Sequence, residues 1–373
     1  MKEKYCKIPK FRFNKFLESW KRLKYEDVIE VNSGKDYKHL EKGDIPVYGT
    51  GGYMLSVSEA ITNKDGVGIG RKGTINKPYI LKAPYWTVDT LFFCIPKNKY
   101  NLYFINAIFE RTQWERFDES TGVPSLSKLT INNIQNYFPS FDEQSAIGSL
   151  FRTLDDLLSS YKNNLANYQS LKVTMLSKMF PKVGQTVPVI RLDGFEGEWE
   201  NKILSEVTNI TMGQSPKSEN YTDNPNDYIL VQGNADIKDR QVVPRLWTTE
   251  VTKMAEIGDI ILTVRAPVGD IGKTDYNVVI GRGVAAIKGN DFIFYTLEKM
   301  KMTGFWNKFS TGSTFESISS NDIKEAIIQI PTLEEQQAIG AYFSNLDNLI
   351  NSYQEKISQL ETLKKKLLQD MFI

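Results

Sequence analysis

The chain has 373 residues, enough for about two domains of ordinary size. Its 41% hydrophobic and 12% aromatic content suits a globular fold with a real core, and no run of about 18 apolar residues is present, which argues against a transmembrane helix. Two cysteines (Cys6 and Cys94) and one histidine (His39) exclude a disulfide framework and a Cys/His zinc cluster and fit a reduced, cytoplasmic setting, while a net charge of +1 gives no overall basic footprint for nucleic acid. That average conceals an asymmetry. Residues 1–140 hold 22 Lys+Arg against 15 Asp+Glu, a net +7, whereas residues 186–331 hold 15 against 20, a net −5.

In chain order, the opening "MKEKYCKIPKFRF" has no apolar run of a signal peptide. It leads into "PKFRFNKFLESW" (Pro9–Trp20) and then into a region that ends its first strand-like stretch in "NSG" at Gly34. "YILKAPYWTVDTLFFCI" in the first half reads as strands, as do "GDIILTVRAPVGDIGKT" and "VVIGRGVAAI" in the second, where β-branched residues alternate with glycine turns; "GIGRKG" (Gly68–Gly73) reads as a glycine-rich β-turn carrying Arg71 and Lys72. "NLYFINAIFERTQWERF" (Asn101–Phe117) predicts a helix before "STG". A long helix is expected next, over 141–181, opened by a proline and the acidic pair Asp142-Glu143. "KVGQTVPV" (Lys182–Val189) reads as a linker.

The sequence then repeats itself. Pro139–Pro181 aligns without a gap to Pro331–Ile373, so that "DEQSAIGSLF" returns as "EEQQAIGAYF", Leu154-Asp155 as Leu346-Asp347, Leu171-Lys172 as Leu363-Lys364 and Met179-Phe180 as Met371-Phe372. "PKFRFNKFLESW" returns as "PVIRLDGFEGEW" (Pro188–Trp199), "NSG" as "TMG" at Gly213, and "WERFDESTG" (Trp114–Gly122) as "WNKFSTG" (Trp306–Gly312). The chain is two copies of one unit, each a β-rich globular part followed by a long helix. In the first helix Ile147, Phe151, Leu154, Leu158, Tyr161, Leu165 and Tyr168 are spaced alternately by four and three, and Ile339, Phe343, Leu346, Ile350, Tyr353, Ile357 and Leu360 keep the same register in the second. That is a coiled-coil seam, and the shared register predicts that the two helices pack on each other.

Three enzyme-like readings fail on context. "GIGRKG" satisfies G-x-G-x-x-G but is followed by extended, proline-bearing sequence rather than by the helix a dinucleotide site requires. "PVGDIGKT" (Pro267–Thr274) has Pro267 where a phosphate-binding loop has its first glycine. No D/N-P-P-Y/F tetrapeptide for amine methylation and no carboxylate cluster ending in E-x-K are present, and His39 has no nucleophile partner. The chain reads as non-catalytic, without a bound metal or cofactor. The turns do carry groups that read base edges: arginine pairs bidentately with guanine, and glutamine and asparagine with adenine. The candidates for DNA contact are Lys35, Tyr48, Arg71 and Lys72 in the first half, and Gln214, Gln232, Asn234, Arg265 and Arg282 in the second. Arg71 lies near the position of Arg265, and Asp89 falls opposite Arg282. Bracing of the turns by Arg71 and Arg265, and burial of Tyr48 and Trp86 in the core, are the structural alternatives.

"RFNKFLESW" and "RLDGFEGEW" opening the halves, "IPVYGTGGY", "GRKGTINKP" and "YWTVDTLFF" in the first, "GDIILTVRAPVG" and "IGRGVAA" in the second, and the "EQ.AIG…LD" helix starts resemble, over essentially the full length, the specificity subunit of type I restriction-modification enzymes. The resemblance implies an α+β fold with two β-rich target recognition domains, at 1–140 and 182–331. Two long helices, at 141–181 and 332–373, would join them as an antiparallel coiled coil. It further implies a bipartite double-stranded DNA target, read half by each domain, with the helices as a ruler. Two modification methyltransferase subunits and two restriction subunits would be the partners and would carry S-adenosylmethionine, ATP and Mg. A related system with a fused methyltransferase-nuclease partner and a stand-alone DNA-binding protein are the alternatives.

Overall fold

The computed structural model describes residues 8–309 and 317–373, so Cys6 and the Ser310–Gly312 end of the third repeated block lie outside it. Two compact units emerge: one takes the chain up to Asn163 together with Tyr353–Ile373, the other takes Asn164–Ser352. Each holds one globular head and a half of each long helix.

In the first unit an antiparallel ribbon of Lys21–Lys24 and Gln135–Phe138 pins the two ends of the head together. Between them lies an antiparallel four-stranded sheet in the order Ile29–Ser33, Leu91–Pro96, Gly66–Gly70, Tyr79–Leu81. A three-stranded sheet holds Gly52–Val57, Lys42–Gly49 and Trp86–Thr87, with Trp86–Thr87 parallel to its neighbour. Three short helices complete the head: α1 (Tyr25–Val28), α2 (Leu102–Arg111) and α3 (Lys128–Asn133). Asn101 caps α2 by accepting from the amides of Tyr103 and Phe104, and Ser127 caps α3 by accepting from Thr130, as short polar residues do before an apolar helical run. The long helix α4 (Phe141–Lys178) follows.

The second unit repeats this order with a larger sheet system. The ribbon is Glu200–Ile203 with Ile327–Ile330. A six-stranded sheet runs Ile210–Met212, Val284–Ile287, Ile260–Thr263, Ile271–Lys273, Gln241–Val242, Ile237–Lys238. A five-stranded sheet runs Tyr221–Thr222, Trp247–Thr248, Tyr228–Val231, Val278–Ile280, Met254–Ala255. The helices are α5 (Leu204–Val207), α6 (Asp291–Met302), α7 (Ser320–Lys324) and the long α8 (Leu333–Asp370). Neither glycine-rich string opens a helix: the element after "GIGRKG" is the strand Tyr79–Leu81, and "PVGDIGKT" contains the strand Ile271–Lys273.

The repeated helix starts have a structural cause. Glu143 and Glu335 are buried, and each takes a two-pronged guanidinium: Arg12 Nε lies 2.7 Å from Glu143 Oε1 and Arg12 Nη2 2.7 Å from Oε2, while Arg191 makes the same pair to Glu335 at 2.8 and 2.7 Å. The neighbouring Gln144 and Gln336 side-chain amides donate to the Pro139 and Pro331 carbonyls, both at 3.0 Å. Their oxygens accept from Asn101 and Asn290 ahead of α2 and α6. "EQ" is thus the joint between long helix and head, and the arginine of "PKFRF" and "PVIRL" is the other half of it.

The ends of the long helices complete the cores. In the first unit Phe372 lies among Trp20, Phe104 and Phe151, with ring centroids 6.2, 5.5 and 5.8 Å away. In the second Phe180 lies among Trp199, Phe292 and Phe343 at 5.9, 5.5 and 6.1 Å. All eight side chains are buried, and each full burial of such a ring contributes about 2–3 kcal/mol. The tail of α8 therefore belongs to the core of the first head, and the tail of α4 to that of the second.

The seam residues Ile147, Phe151, Leu154 and Leu158 are buried, as are Ile339, Phe343, Leu346 and Ile350. Within the first unit Asp155 of α4 pairs with Lys364 of α8, and further along α4 Tyr161 meets Tyr353, earlier in α8, at 5.4 Å, so α4 and α8 run antiparallel there; Lys162 and Glu361 add an ion pair at 2.7 Å. The repeated lysine sits at the joint in both units. Lys364 of α8 pairs with Asp155 of α4 and Glu110 of α2 at 2.5 and 2.6 Å. Lys172 of α4 pairs with Asp347 of α8 and Glu298 of α6, both at 2.8 Å. No helix among the described residues is long and apolar enough to cross a membrane.

Candidate nucleic-acid interface

Each head carries the candidate residues around one loop, and the two loops are held by the same backbone hydrogen bonds. In the first unit the Lys35 amide donates to Thr87 O at 2.9 Å, Val88 to Tyr48 O at 3.0 Å, Leu91 to Val88 O at 3.0 Å and Gly34 to Leu91 O at 3.1 Å. In the second, Gln214 donates to Ile280 O at 2.8 Å, Gly281 to Val231 O at 2.8 Å, Val284 to Gly281 O at 3.1 Å and Gly213 to Val284 O at 3.0 Å. The glycines of "NSG" and "TMG" are required here: a Cβ on Gly34 would fall on the Val88 carbonyl oxygen, and one on Gly213 on that of Gly281.

This correspondence fixes which side chains are equivalent. Lys35 matches Gln214, Tyr48 matches Val231, and Asp89 at the crest of one loop matches Arg282 at the crest of the other. Arg71 donates to Thr90 O and accepts from Leu126, as Val264 donates to Gly283 O and accepts from Ile318. Lys72 bridges Ser125 as Arg265 bridges Ser317. The residue at the place of Arg265 is therefore Lys72. Arg71 stands one position earlier, matched to the buried Val264, with its guanidinium 5.7 Å from the Phe92 ring centroid.

In the second unit four of the five candidates converge. Gln232, Asn234, Arg265 and Arg282 line one recess of about 310 Å³ together with Ser215 and Tyr221. Arg265, Arg282, Asn234 and Gln214 are exposed. The Gln232 side-chain Nε2 is buried and among the described residues has no hydrogen-bond partner, a donor that costs stability unless something outside the chain accepts from it. Asp236 braces the segment by accepting from the backbone N–H groups of Gln232 at 2.8 Å and Gly233 at 3.2 Å. Ser215 Oγ accepts from the Arg282 amide at 3.1 Å. Gln214 lies beside that bond rather than in the recess lining.

In the first unit the candidates are spread out. Arg71 and Lys72 line a recess of about 560 Å³ with Glu119, Ser120 and Gly122. Tyr48 belongs to an aromatic group with Tyr53 and Tyr79, at 6.4 and 6.1 Å. The Tyr79 hydroxyl donates to Gly49 O at 2.6 Å, and burial holds its pKa well above the ordinary tyrosine value. Lys35 is exposed, and its carbonyl accepts from Trp86 Nε1 at 2.9 Å; Trp86 is buried, so that ring is core. His39 is exposed against the edge of the Trp86 ring. Sequence reasoning missed Ser215, Tyr221 and Asp236. Only Ser215, next to Gln214 in a glycine-and-proline turn, carried a local signal.

Among the described residues no group of three or more His, Cys, Asp or Glu side chains could hold a metal ion. The chemistry on offer is recognition: guanidinium, ammonium, amide and carboxylate groups on fixed backbone.

A family model described as the type I restriction modification DNA specificity domain matches residues 18–168 and 196–362. The chain is 28% identical over 255 residues to a specificity subunit attributed to the type I restriction enzyme MjaX of Methanocaldococcus jannaschii, an alignment that takes in 65% of this chain and 60% of that protein. It is 21% identical to the EcoBI specificity subunit of Escherichia coli, with 95% and 86% covered. The chain spans less than two thirds of the length of the Methanocaldococcus relatives it matches. In fold it is similar to the type-I restriction-modification S subunit from M. genitalium, with a TM-score of 0.73 at 16% identity over 98% of this chain and 99% of that one.

Proposed function

The chain belongs to the family of type I restriction modification DNA specificity domains, and we propose from that premise that it is the sequence-reading subunit of a type I restriction-modification complex. Each head reads one half of a bipartite double-stranded DNA target, the first through residues 1–140 and the second through residues 182–331. Lys35, Tyr48, Arg71 and Lys72 serve one half-site; Gln214, Gln232, Asn234, Arg265 and Arg282 serve the other. The observation that carries this reading is the pairing of one hydrogen-bonded loop frame with different exposed side chains in the two heads. A frame kept twice with its crest residues changed is what a reader of two unlike half-sites needs, since base identity is read by the side chains and position by the frame.

The long helices α4 and α8, each of 38 residues and so about 57 Å long, act in this reading as the ruler between half-sites. Pseudo-twofold repetition of the helices and of their joints offers equivalent surfaces to two copies of one partner. The partners are two modification methyltransferase subunits and two restriction subunits. They supply the chemistry and hold S-adenosylmethionine, ATP and Mg, in the cytoplasm, while this chain catalyses nothing. The near-neutral charge, and the −5 of the second head in particular, accord with DNA binding that relies on those partners. Single-molecule methylome sequencing of host DNA with and without the gene tests the proposal. Loss of one bipartite methyladenine motif is the expected result; an unchanged methylome with active partner subunits would contradict it.

A further inference from the structure

Asp89 and Arg282 occupy the same place in their heads. Each is the exposed residue between a buried residue (Val88, Gly281) and the last turn before a core strand that begins at Leu91 or Val284. The hydrogen bonds on either side are the same in kind and similar in length, Val88 to Tyr48 O at 3.0 Å against Gly281 to Val231 O at 2.8 Å and Leu91 to Val88 O at 3.0 Å against Val284 to Gly281 O at 3.1 Å. Backbone on both flanks is therefore fixed, and only the side chain differs, in the sign of its charge. Among the described residues neither the Asp89 carboxylate nor the Arg282 guanidinium has a hydrogen-bond or ion-pair partner, so neither braces its loop.

An unpaired carboxylate is a poor choice for general attraction to DNA, because phosphates repel it. It is a good choice for one purpose, accepting a hydrogen bond from an exocyclic amine in the major groove, of which cytosine N4 is the usual carboxylate partner. The guanidinium has the complementary chemistry, donating two bonds to guanine O6 and N7. Arg282 also shares its recess with Arg265 and with the unpartnered Gln232 amide, whereas the corresponding positions in the first head hold Lys72 and the side-chain-free Gly49. The second head is thus equipped with donors at the crest, and the first with an acceptor.

We propose that Asp89 and Arg282 are equivalent specificity-determining residues of opposite chemistry, Arg282 reading a guanine in one half-site and Asp89 reading the amine of a cytosine in the other. This rests on the DNA-reading function proposed above. The test uses the full chain co-expressed with its partner subunits and maps methyladenine by single-molecule sequencing for the unaltered chain, Asp89→Arg, Asp89→Asn and Arg282→Gln. Asp89→Arg is expected to lower the preference for cytosine at one base pair of one half-site about tenfold or more and to bring in guanine there. Asp89→Asn, which keeps size and shape, should shift the same base pair toward adenine. Arg282→Gln should shift a guanine toward adenine in the opposite half. Should Asp89→Arg abolish methylation altogether, Asp89→Asn decides. An unchanged motif in Asp89→Asn and Arg282→Gln, or changes that fall in the same half, overturns the assignment while leaving the DNA-reading function in place. An unaltered complex that yields no bipartite motif overturns the function itself and this assignment with it.

Discussion

The joint between head and helices is built twice, and the second version has one more cation. In the first unit Lys364 is, among the described residues, the one cation on both Asp155 and Glu110, with Asn106 giving Glu110 a neutral hydrogen bond. In the second, Lys172 and Arg240 share Asp347 and Glu298, and the Arg240 guanidinium lies over the rings of Phe294 and Tyr295 at 4.6 and 5.3 Å. The carboxylates respond accordingly. Burial dominates at Glu110 and raises its pKa, only partly opposed by Lys364; at Asp347 burial is outweighed by Arg240, Lys172 and Tyr295, and its pKa is lowered. The same repeated residues thus give one joint that is short of positive charge and one that is not. The comparison separates what the fold needs twice from what each head has adjusted. The lysine, both carboxylates and the Arg–Glu pair are common, while Arg240 and the loop crests are particular.

The largest effects should be alike in the two units. Phe372→Ala and Phe180→Ala each empty an aromatic pocket and should cost about 3–5 kcal/mol, each in the unit whose core it fills. Urea unfolding followed by limited proteolysis of the two units would show this, and loss confined to the opposite unit would break the correspondence. Smaller and unequal effects are expected at the joints. Lys364→Met strands two carboxylates and should destabilise by about 3 kcal/mol, whereas Lys172→Met leaves Arg240 on both of its carboxylates and should cost about 1 kcal/mol. Equal midpoint shifts in urea would remove the distinction.

Acid should sharpen the same contrast. The raised Glu110 pKa means the folded first unit takes up that proton more readily than the unfolded chain. Its contribution is fully present below the ordinary glutamate value and is lost as pH rises through the elevated folded value. Asp347 has the opposite sign: its contribution is present above the ordinary aspartate value and lost as pH falls through the depressed folded value. Urea midpoints of the two units measured between pH 6 and 3, a span of about three units around those values, should therefore diverge, the first unit holding while the second falls. The smallest stability effects belong to the crests. Asp89→Asn and Arg282→Gln remove no side-chain bond among the described residues and should stay within about 0.5 kcal/mol, which a thermal melt would verify.

Much of the architecture is legible in the sequence because it is periodic or repeated. The heptad seam and the gapless alignment of Pro139–Pro181 with Pro331–Ile373 announce two matched helices, and glycine-punctuated β-branched stretches announce the sheets. What the repeats do cannot be read locally. The "EQ" motif suits a helix N-terminus, yet Glu143 serves Arg12 across 131 positions and Glu335 serves Arg191 across 144. Arg240 has no repeat counterpart, so nothing singled it out. The candidate contacts are legible by residue type but not by place. Loop lengths differ between the copies, alignment slides by a residue, and only the backbone hydrogen bonds show that Lys72, not Arg71, stands where Arg265 stands. Convergence of Gln232, Asn234, Arg265 and Arg282 on one recess likewise depends on the parallel pairing of Leu230 with Val279 and Val231 with Ile280, far apart in sequence.

In the proposed function, equivalent positions of one repeated frame read opposite halves of one target. Methyladenine mapping of Lys72→Ala and Arg265→Ala complexes side by side tests it most directly. Each substitution should relax sequence preference in one half of the motif, the half should differ between the two variants, and methylation itself should persist. Relaxation of the same half by both, or uniform loss of methylation from folded complexes, would contradict it.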